Sequence, residues 1–323
     1  MIPALLLTGA LPNNLDMMKR ILLILTCLLT VTTIRACDIC GCGVGSYYLG
    51  ILPDFSKRFA GLRYQHKTMQ SHLGAGGATS YLTTAETYQT AELWGGWNIG
   101  QRFRVLAFVP FNFNGKTNEG VTTHQSGLGD IAAIGFYNVF SNRQTVLNSK
   151  LLVQSLWVGA GVKAPTGRYY QAAKIAGGES PNNFQLGTGS TDFTLNAMYD
   201  IRLMDAGINA NLSYKINTAN RYDYRYGNKY TANLLAYYKF RIAPQVTVSP
   251  DAGVLYETAG KDMDAGLQVD VSGGYALMGT VGAEVMLGRV NIGGNFQPVI
   301  KQQLADMHVK AGSRMMVHAT VLF

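Results

Sequence analysis

The chain of 323 residues is 14% charged, holds 37 Gly and 18 Tyr, and carries a formal net charge of +8. Soluble domains average about a quarter charged residues, so this chain is charge-poor, yet it has no uninterrupted mature apolar run of the roughly 18 residues a spanning helix needs. Its Lys and Arg are scattered along strands and loops rather than clustered, which speaks against a nucleic-acid partner.

At the N-terminus, Lys19-Arg20 precede an apolar run from Ile21 to Val31, followed by small or polar residues to Ala36. That is the layout of a secretory signal, too short to span a membrane. Residues 1–16, with Pro3 and Pro12, lie upstream of it, and Met17 or Met18 is the more natural start. Residues 1–36 are therefore read as an upstream extension plus export signal, which carries Cys27 away with it.

Directly after the signal comes Cys37-Asp38-Ile39-Cys40-Gly41-Cys42. Three readings stay open. Ile34-Arg35-Ala36-Cys37 partly resembles a lipobox, so Cys37 could be the lipid-modified terminus, with Arg35 an awkward residue there. A disulfide suits an oxidising periplasm. Cys37, Cys40 and Cys42 could hold a soft metal such as copper or zinc, although three thiols without a His are an incomplete structural zinc set. Covalent haem needs C-x-x-C-H, and residue 41 is Gly. No cofactor is expected. Residues 43–56 are too short for a domain.

From residue 57 the chain alternates polar with apolar residues in steps of two, the period of a strand. Twelve predicted strands span 57–68, 84–99, 102–114, 128–140, 150–164, 191–203, 206–218, 229–242, 245–257, 270–287, 289–302 and 312–323. Most reach the roughly 9–11 residues that cross a bilayer at a tilt, where strands of soluble sheets average about 5–6. Long loops follow the odd strands, at 69–83, 115–127, 165–190, 219–228, 258–269 and 303–311. Short turns follow the even ones, at Gly100-Gln101, Met204-Asp205, Ala243-Pro244 and Gly288, with 141–149 of middling length. A soluble sandwich has no reason to sort loop length by strand parity; a bacterial barrel does. The expected fold is all-β: a transmembrane, antiparallel up-and-down barrel over 57–323, with both termini periplasmic. Residues 37–56 form a periplasmic Cys-rich segment, and its part from 43 to 56 would lie at the barrel rim or plug the lumen.

Phase assigns the faces. In the eighth strand Lys229, Thr231, Asn233, Tyr237, Lys239 and Arg241 oppose Tyr230, Ala232, Leu234, Ala236, Tyr238, Phe240 and Ile242. In the eleventh, Arg289, Asn291, Asn295, Gln297 and Lys301 oppose Val290, Ile292, Phe296 and Ile300. A charge on the lipid face costs about 2–4 kcal/mol at the midplane, so the charged faces must look inward. In the fifth strand Lys150 and Lys163 fall on opposite phases, so one lies beyond the bilayer edge or a bulge shifts the register. The candidate lumen and constriction residues are Arg102, Arg104, Asp130, Asp192, Lys239, Arg241, Asp251, Glu284 and Arg289. Such a mixed-sign set either pairs up to fill a narrow barrel or lines a permeation path. Twelve strands are too few for a wide open porin, which takes about 16.

Three segments carry a resemblance: Gly127-Leu128-Gly129-Asp130, Val162-Lys163-Ala164-Pro165-Thr166-Gly167, and Leu186-Gly187-Thr188-Gly189-Ser190-Thr191-Asp192. In this order they resemble the outer-membrane transporter-like family named for the meta-pathway of phenol degradation. The Cys-rich start with Tyr47-Tyr48-Leu49-Gly50 resembles a Bacteroidetes-type branch of such barrels. The resemblance implies a barrel and passage of small, aromatic or apolar compounds; the segments themselves also read as turn architecture.

His124-Gln125-Ser126 with Asn138 superficially resembles the catalytic set of outer-membrane phospholipases, but nothing else in the sequence supports a nucleophile–base pair, and no enzyme is expected. The expectation is a passive channel in the bacterial outer membrane for a small-molecule solute. The alternative is a non-transport barrel whose Cys segment or outer loops bind metal, redox partners or surface ligands. The expected partners are outer-membrane lipid and the barrel-assembly machinery, through the terminal aromatic Phe323.

Overall fold

The computed structural model describes residues 57–146, 149–170 and 184–323. The predicted export signal and the cysteines at 37, 40 and 42 lie outside them. Twelve barrel strands follow one another: β1 Phe59–Ser71, β2 Thr84–Ile99, β3 Phe103–Asn118, β4 in two pieces Val121–Leu128 and Ala132–Val146, β5 Lys150–Lys163 and β6 Asp192–Leu203. The rest are β7 Ala206–Ile216, β8 as Lys229–Tyr238 and Phe240–Ala243, β9 Val246–Ala259, β10 Gly274–Leu287, β11 as Val290–Gln297 and Val299–Leu304, and β12 Lys310–Leu322. Each pairs antiparallel with the next, and β12 returns to β1, from Phe59↔Leu322 to Gln70↔Lys310. The sheet is closed. Phe59 and Phe323 lie at the end where the connections are short, the turn end of the barrel.

The alternation places Leu62, Leu93, Leu195, Ile208, Leu234, Ile292 and Val317 outward, all exposed. An apolar belt of this extent, uncovered by protein, is the face a barrel turns to lipid. Aromatic pairs edge it at the turn end: Trp97 with Phe323 at 5.9 Å, Phe103 with Tyr137 at 5.1 Å, and Tyr238 with Phe240 at 4.6 Å between ring centroids.

Local irregularities reset the phase. A bulge at Val139 leaves that residue unpaired between Asn138 and Phe140. Ile134 and Phe136 point inward before it, and Ser141 and Arg143 face the lumen after it. Strand β5 has no such break, so Trp157 and Lys163 share the inner phase, while Lys150 sits exposed at the turn end. The bilayer-edge explanation of the Lys150–Lys163 conflict therefore holds. Near Pro298, which cannot donate to a ladder, the register of β11 against β10 shifts. Lys301 comes to lie opposite Leu277 and is exposed, where unbroken alternation had it luminal. The expected loop 115–127 is instead a hairpin extending β3 and β4, from Asn114↔Gln125 to Asn118↔Val121. Its tip, Glu119-Gly120, takes positive φ at both positions (47° and 79°), as a tight two-residue hairpin turn requires.

Inside, the half of the barrel walled by β1–β6 is packed. Phe59, Trp94, Leu106, Phe108, Ile134, Phe136, Trp157 and Met198 form one buried cluster. Each such side chain stabilises by about 1.5–3 kcal/mol when fully buried, so half the lumen is a core rather than a pore.

A direct check is the outer face. Leu234→Arg should destabilise the barrel by about 2–4 kcal/mol and Ile242→Arg, at the turn-end rim, by about 0–1 kcal/mol. The measurement is urea-dependent folding into lipid vesicles; equal effects would place the belt wrongly.

Candidate functional site

The loop-end mouth is built around Lys163, the last residue of β5 and only 1% exposed. Its ammonium pairs with Asp130, with Asp192 at 3.0 Å, and donates to the Thr188 hydroxyl and, at 3.0 Å, to the Ser190 carbonyl. The Asp130 carboxylate also accepts the backbone N–H groups of Gly167 and Thr188, both at 2.9 Å. Asp192 accepts the Ser190 hydroxyl at 2.8 Å and the Thr218 N–H at 3.1 Å, and faces Lys215 at 3.3 Å. Thr166 completes the fastening: its hydroxyl accepts the Ile131 N–H and donates to the Gly129 carbonyl.

Residues 164–170 and 184–191 are thus tied to the ends of β4, β5, β6 and β7. Gly187 admits no side chain, because a Cβ there would lie 2.3 Å from Asp130 Oδ1 and 2.8 Å from Gly167 Cα. Asn112 and Asn114 of β3 donate to the carbonyls of Leu186 and Gln185, at 3.0 and 3.2 Å. This segment therefore lies against the inner face of β3 and narrows the mouth.

Beside it, the Asp262 carboxylate accepts the Tyr224 hydroxyl (2.6 Å) and the Gly227 N–H (2.7 Å). Burial lifts that carboxyl above its ordinary range, against the pull of both donors. Burial also pushes the neighbouring Tyr226 phenol well up.

Deeper in, Glu257 of β9 bridges the lumen. One oxygen takes Arg314 of β12 at 2.6 Å and the other takes Lys229 of β8 at 3.2 Å. Two cavities meet at this bridge. The one toward the loops holds about 660 Å³ of empty space beside Lys215, Asn217 and Tyr226. The other, about 680 Å³, lies against Asn196, Asn211, Asn233, Asn295 and Gln297, with Met198, Leu255 and Met316. A vestibule of about 2020 Å³, open to solvent, is lined by Asp200, Arg202, Asn209, Lys239, Ser249 and Asn291. The two cavities at the bridge lie mainly along β6–β12, and the vestibule also reaches Asn98, Asn138, Ser141 and Ser155; the β1–β6 side carries the aromatic cluster, with Arg63 paired to Glu92 and its guanidinium 4.9 Å from the Trp94 ring.

Most of the sequence-derived candidates face inward, but they form separate groups. Asp130 and Asp192 meet at the mouth. Arg104, fully buried, donates to the Lys57 carbonyl at 3.1 Å within the packed half. Asp251 is buried on the inner face of β9, and Glu284 accepts from Asn291 at 2.7 Å and lies 3.1 Å from His318. Lys239 lines the vestibule, 5.6 Å from the Tyr237 ring. Arg241 pairs with Asp205 at 2.8 Å on the turn-end rim.

Two candidates do not join the lumen. Arg102 is exposed in the turn before β3 and donates to the Tyr137 hydroxyl, and Arg289 is exposed in the turn before β11. Both belong to turns, where phase no longer assigns a face. Lys67 and Glu257 were missed because they fall at the ends of predicted strands. Their phase, shared with Arg63 and with Asp251, was the available signal. His124 and Ser126 lie exposed on the β3–β4 hairpin, while Asn138 is buried past the break in β4, so the three form no catalytic set.

A closed twelve-strand sheet, apolar outside and part polar within, defines a channel-type outer-membrane β-barrel. The chain belongs to the family described as the putative MetA-pathway of phenol degradation, whose sequence profile matches residues 65–291. Among solved structures it is similar to an outer membrane channel from Pseudomonas putida F1, with 14% identity and a TM-score of 0.60 over 86% of this chain and 100% of that one. It also resembles the β-domain of the Bordetella autotransporter BrkA, with 12% identity and a TM-score of 0.45 over 83% of this chain and 100% of that one. The first likeness is one of fold; the second is too loose to carry an argument. No curated protein matches the chain significantly.

The mouth network gives a test. Lys163→Met leaves two buried carboxylates short of a cation, a loss of about 3–5 kcal/mol. Trypsin should then cleave faster at Arg168, while the barrel keeps its heat-modifiable mobility in gels. Adding Asp130→Asn, which rebalances the charge, should restore protection.

Proposed function

We propose that this protein is a passive outer-membrane channel for small solutes, with its turn end toward the periplasm and its long loops outside. The observation that carries this is the series of cavities, lined by amide, charged and apolar side chains and lying mainly toward the β6–β12 side, from the vestibule past the Glu257 bridge to the outer loops. A barrel built only for stability would gain from filling this half as it fills the other. Buried methionine and leucine beside the amides, at Met198, Leu255 and Met316, suit solutes with an apolar body. Transport then follows the solute gradient, without catalysis. Phe323, outward and 57% exposed at the end of the closing strand, suits recognition by the assembly machinery.

Purified protein in a planar bilayer should give small, discrete conductance steps. Phe108→Ala, which opens the packed half, should enlarge them. A folded barrel that neither conducts nor lets any small solute swell liposomes would overturn the proposal.

A further inference from the structure

The wall of the cavity on the vestibule side of the Glu257 bridge has an excess of positive charge. Lys67 of β1 stands directly opposite Arg314 in the closing β1–β12 ladder. Like charges so placed on adjacent strands repel. The carboxylate that offsets them is Glu257, and both its oxygens are already engaged, by Arg314 at 2.6 Å and Lys229 at 3.2 Å. Three cations share one anion, and Lys67, among the described residues, has neither an ion-pair nor a hydrogen-bond partner. Its side chain lines the cavity.

A second observation lies on the same cavity. Asn233 of β8 is 5% exposed, and neither its Oδ1 nor its Nδ2 has a protein partner. Leaving a buried polar group unsatisfied is costly, and here both ends of one amide are left so. Met198, Leu255 and Met316, each under 10% exposed, line the same cavity, Leu255 as the ladder partner of Asn233.

We propose that this cavity binds a small organic anion with an apolar body, of which a short-chain monocarboxylate is the simplest member. The carboxylate pairs with the Lys67 ammonium and accepts the Asn233 Nδ2–H, and the hydrocarbon part lies against Met198, Leu255 and Met316. The site discriminates by charge: a cation meets Lys67 and Arg314, and a neutral isostere forfeits the ion pair. Solute entry along the lumen rests on the channel reading; occupancy of the cavity does not.

The test titrates the purified full chain in detergent, by calorimetry, with hexanoate and with its neutral counterpart hexanamide. Hexanoate should bind saturably at one site, more weakly as salt rises, and hexanamide at least about tenfold more weakly. Lys67→Gln should weaken hexanoate by at least about tenfold and leave hexanamide unchanged. Asn233→Asp, which sets a resident carboxylate in the cavity that Lys67 lines, should abolish hexanoate binding and serves equally if Lys67→Gln does not fold. Equal binding of the two probes, undiminished hexanoate binding in either folded variant, or no binding of hexanoate at all overturns the inference. A barrel that conducts without binding hexanoate refutes this site and spares the channel. One that binds it without conducting refutes the channel and spares the site.

Discussion

Everything in this molecule depends on β12 meeting β1. An unpaired strand edge in hydrocarbon leaves backbone N–H and C=O groups without partners, each at several kcal/mol, so the sheet must close. Closure here runs almost the full length of both strands, from Phe59↔Leu322 to Gln70↔Lys310. It draws the backbones close: a Cβ on Gly61 would lie 2.2 Å from the Ala319 carbonyl oxygen. Once the circumference is set at twelve strands, every second side chain is committed to an interior too narrow to hold them all in water.

The barrel answers that crowding unevenly. On the β1–β6 side, aromatic and aliphatic residues pack as they would in a soluble core, and even the cations there are absorbed. Arg63 pairs with Glu92, and the Arg104 guanidinium sits 5.3 Å from the Phe59 ring. On the β6–β12 side, inner amides and hydroxyls such as Asn209, Asn233, Thr280, Asn291 and Gln297 stand among buried Leu255 and Met316, and the cavities lie between them. Removing one partner of a buried ion pair destabilises more than the pair itself contributes. Bridges such as Glu257–Arg314 therefore act less as sources of stability than as fixed posts that divide this space.

Alternation and loop parity made the strands legible from sequence because both arise from the bilayer: one face to lipid, short turns on one side. Gly207 to Asn217 reads as a barrel strand by eye, and the structure has β7 at Ala206–Ile216. What alternation could not convey is a one-residue change of phase. The Val139 bulge is invisible in an otherwise regular run, and the shift near Pro298 turns Lys301 outward. The Glu119-Gly120 hairpin read as loop because it protrudes beyond the belt, where neither face needs to be apolar. Nor does phase give the position around the barrel. It places Glu257 and Arg314 inside, yet their meeting depends on tilt and stagger, quantities that the chain encodes only collectively.

The segments that carry the family resemblance show where that collective geometry is fixed. Gly127–Asp130, Val162–Gly167 and Leu186–Asp192 lie apart in sequence, yet Asp130, Thr188, Ser190 and Asp192 all converge on Lys163 of the second. Asp130 closes the assembly by accepting from the Gly167 and Thr188 backbones, and Gly187 allows the chain to pass against it. Their chemistry is that of a fastening: it ties a long loop across the inner face of β3 at the mouth. The mid-lumen wall stands apart from this fastening: the ion pairs of Glu257 go to Arg314 and Lys229, which lie outside these segments. A sequence signature of this kind therefore fixes the mouth of the barrel and leaves the side chains of the mid-lumen wall outside it.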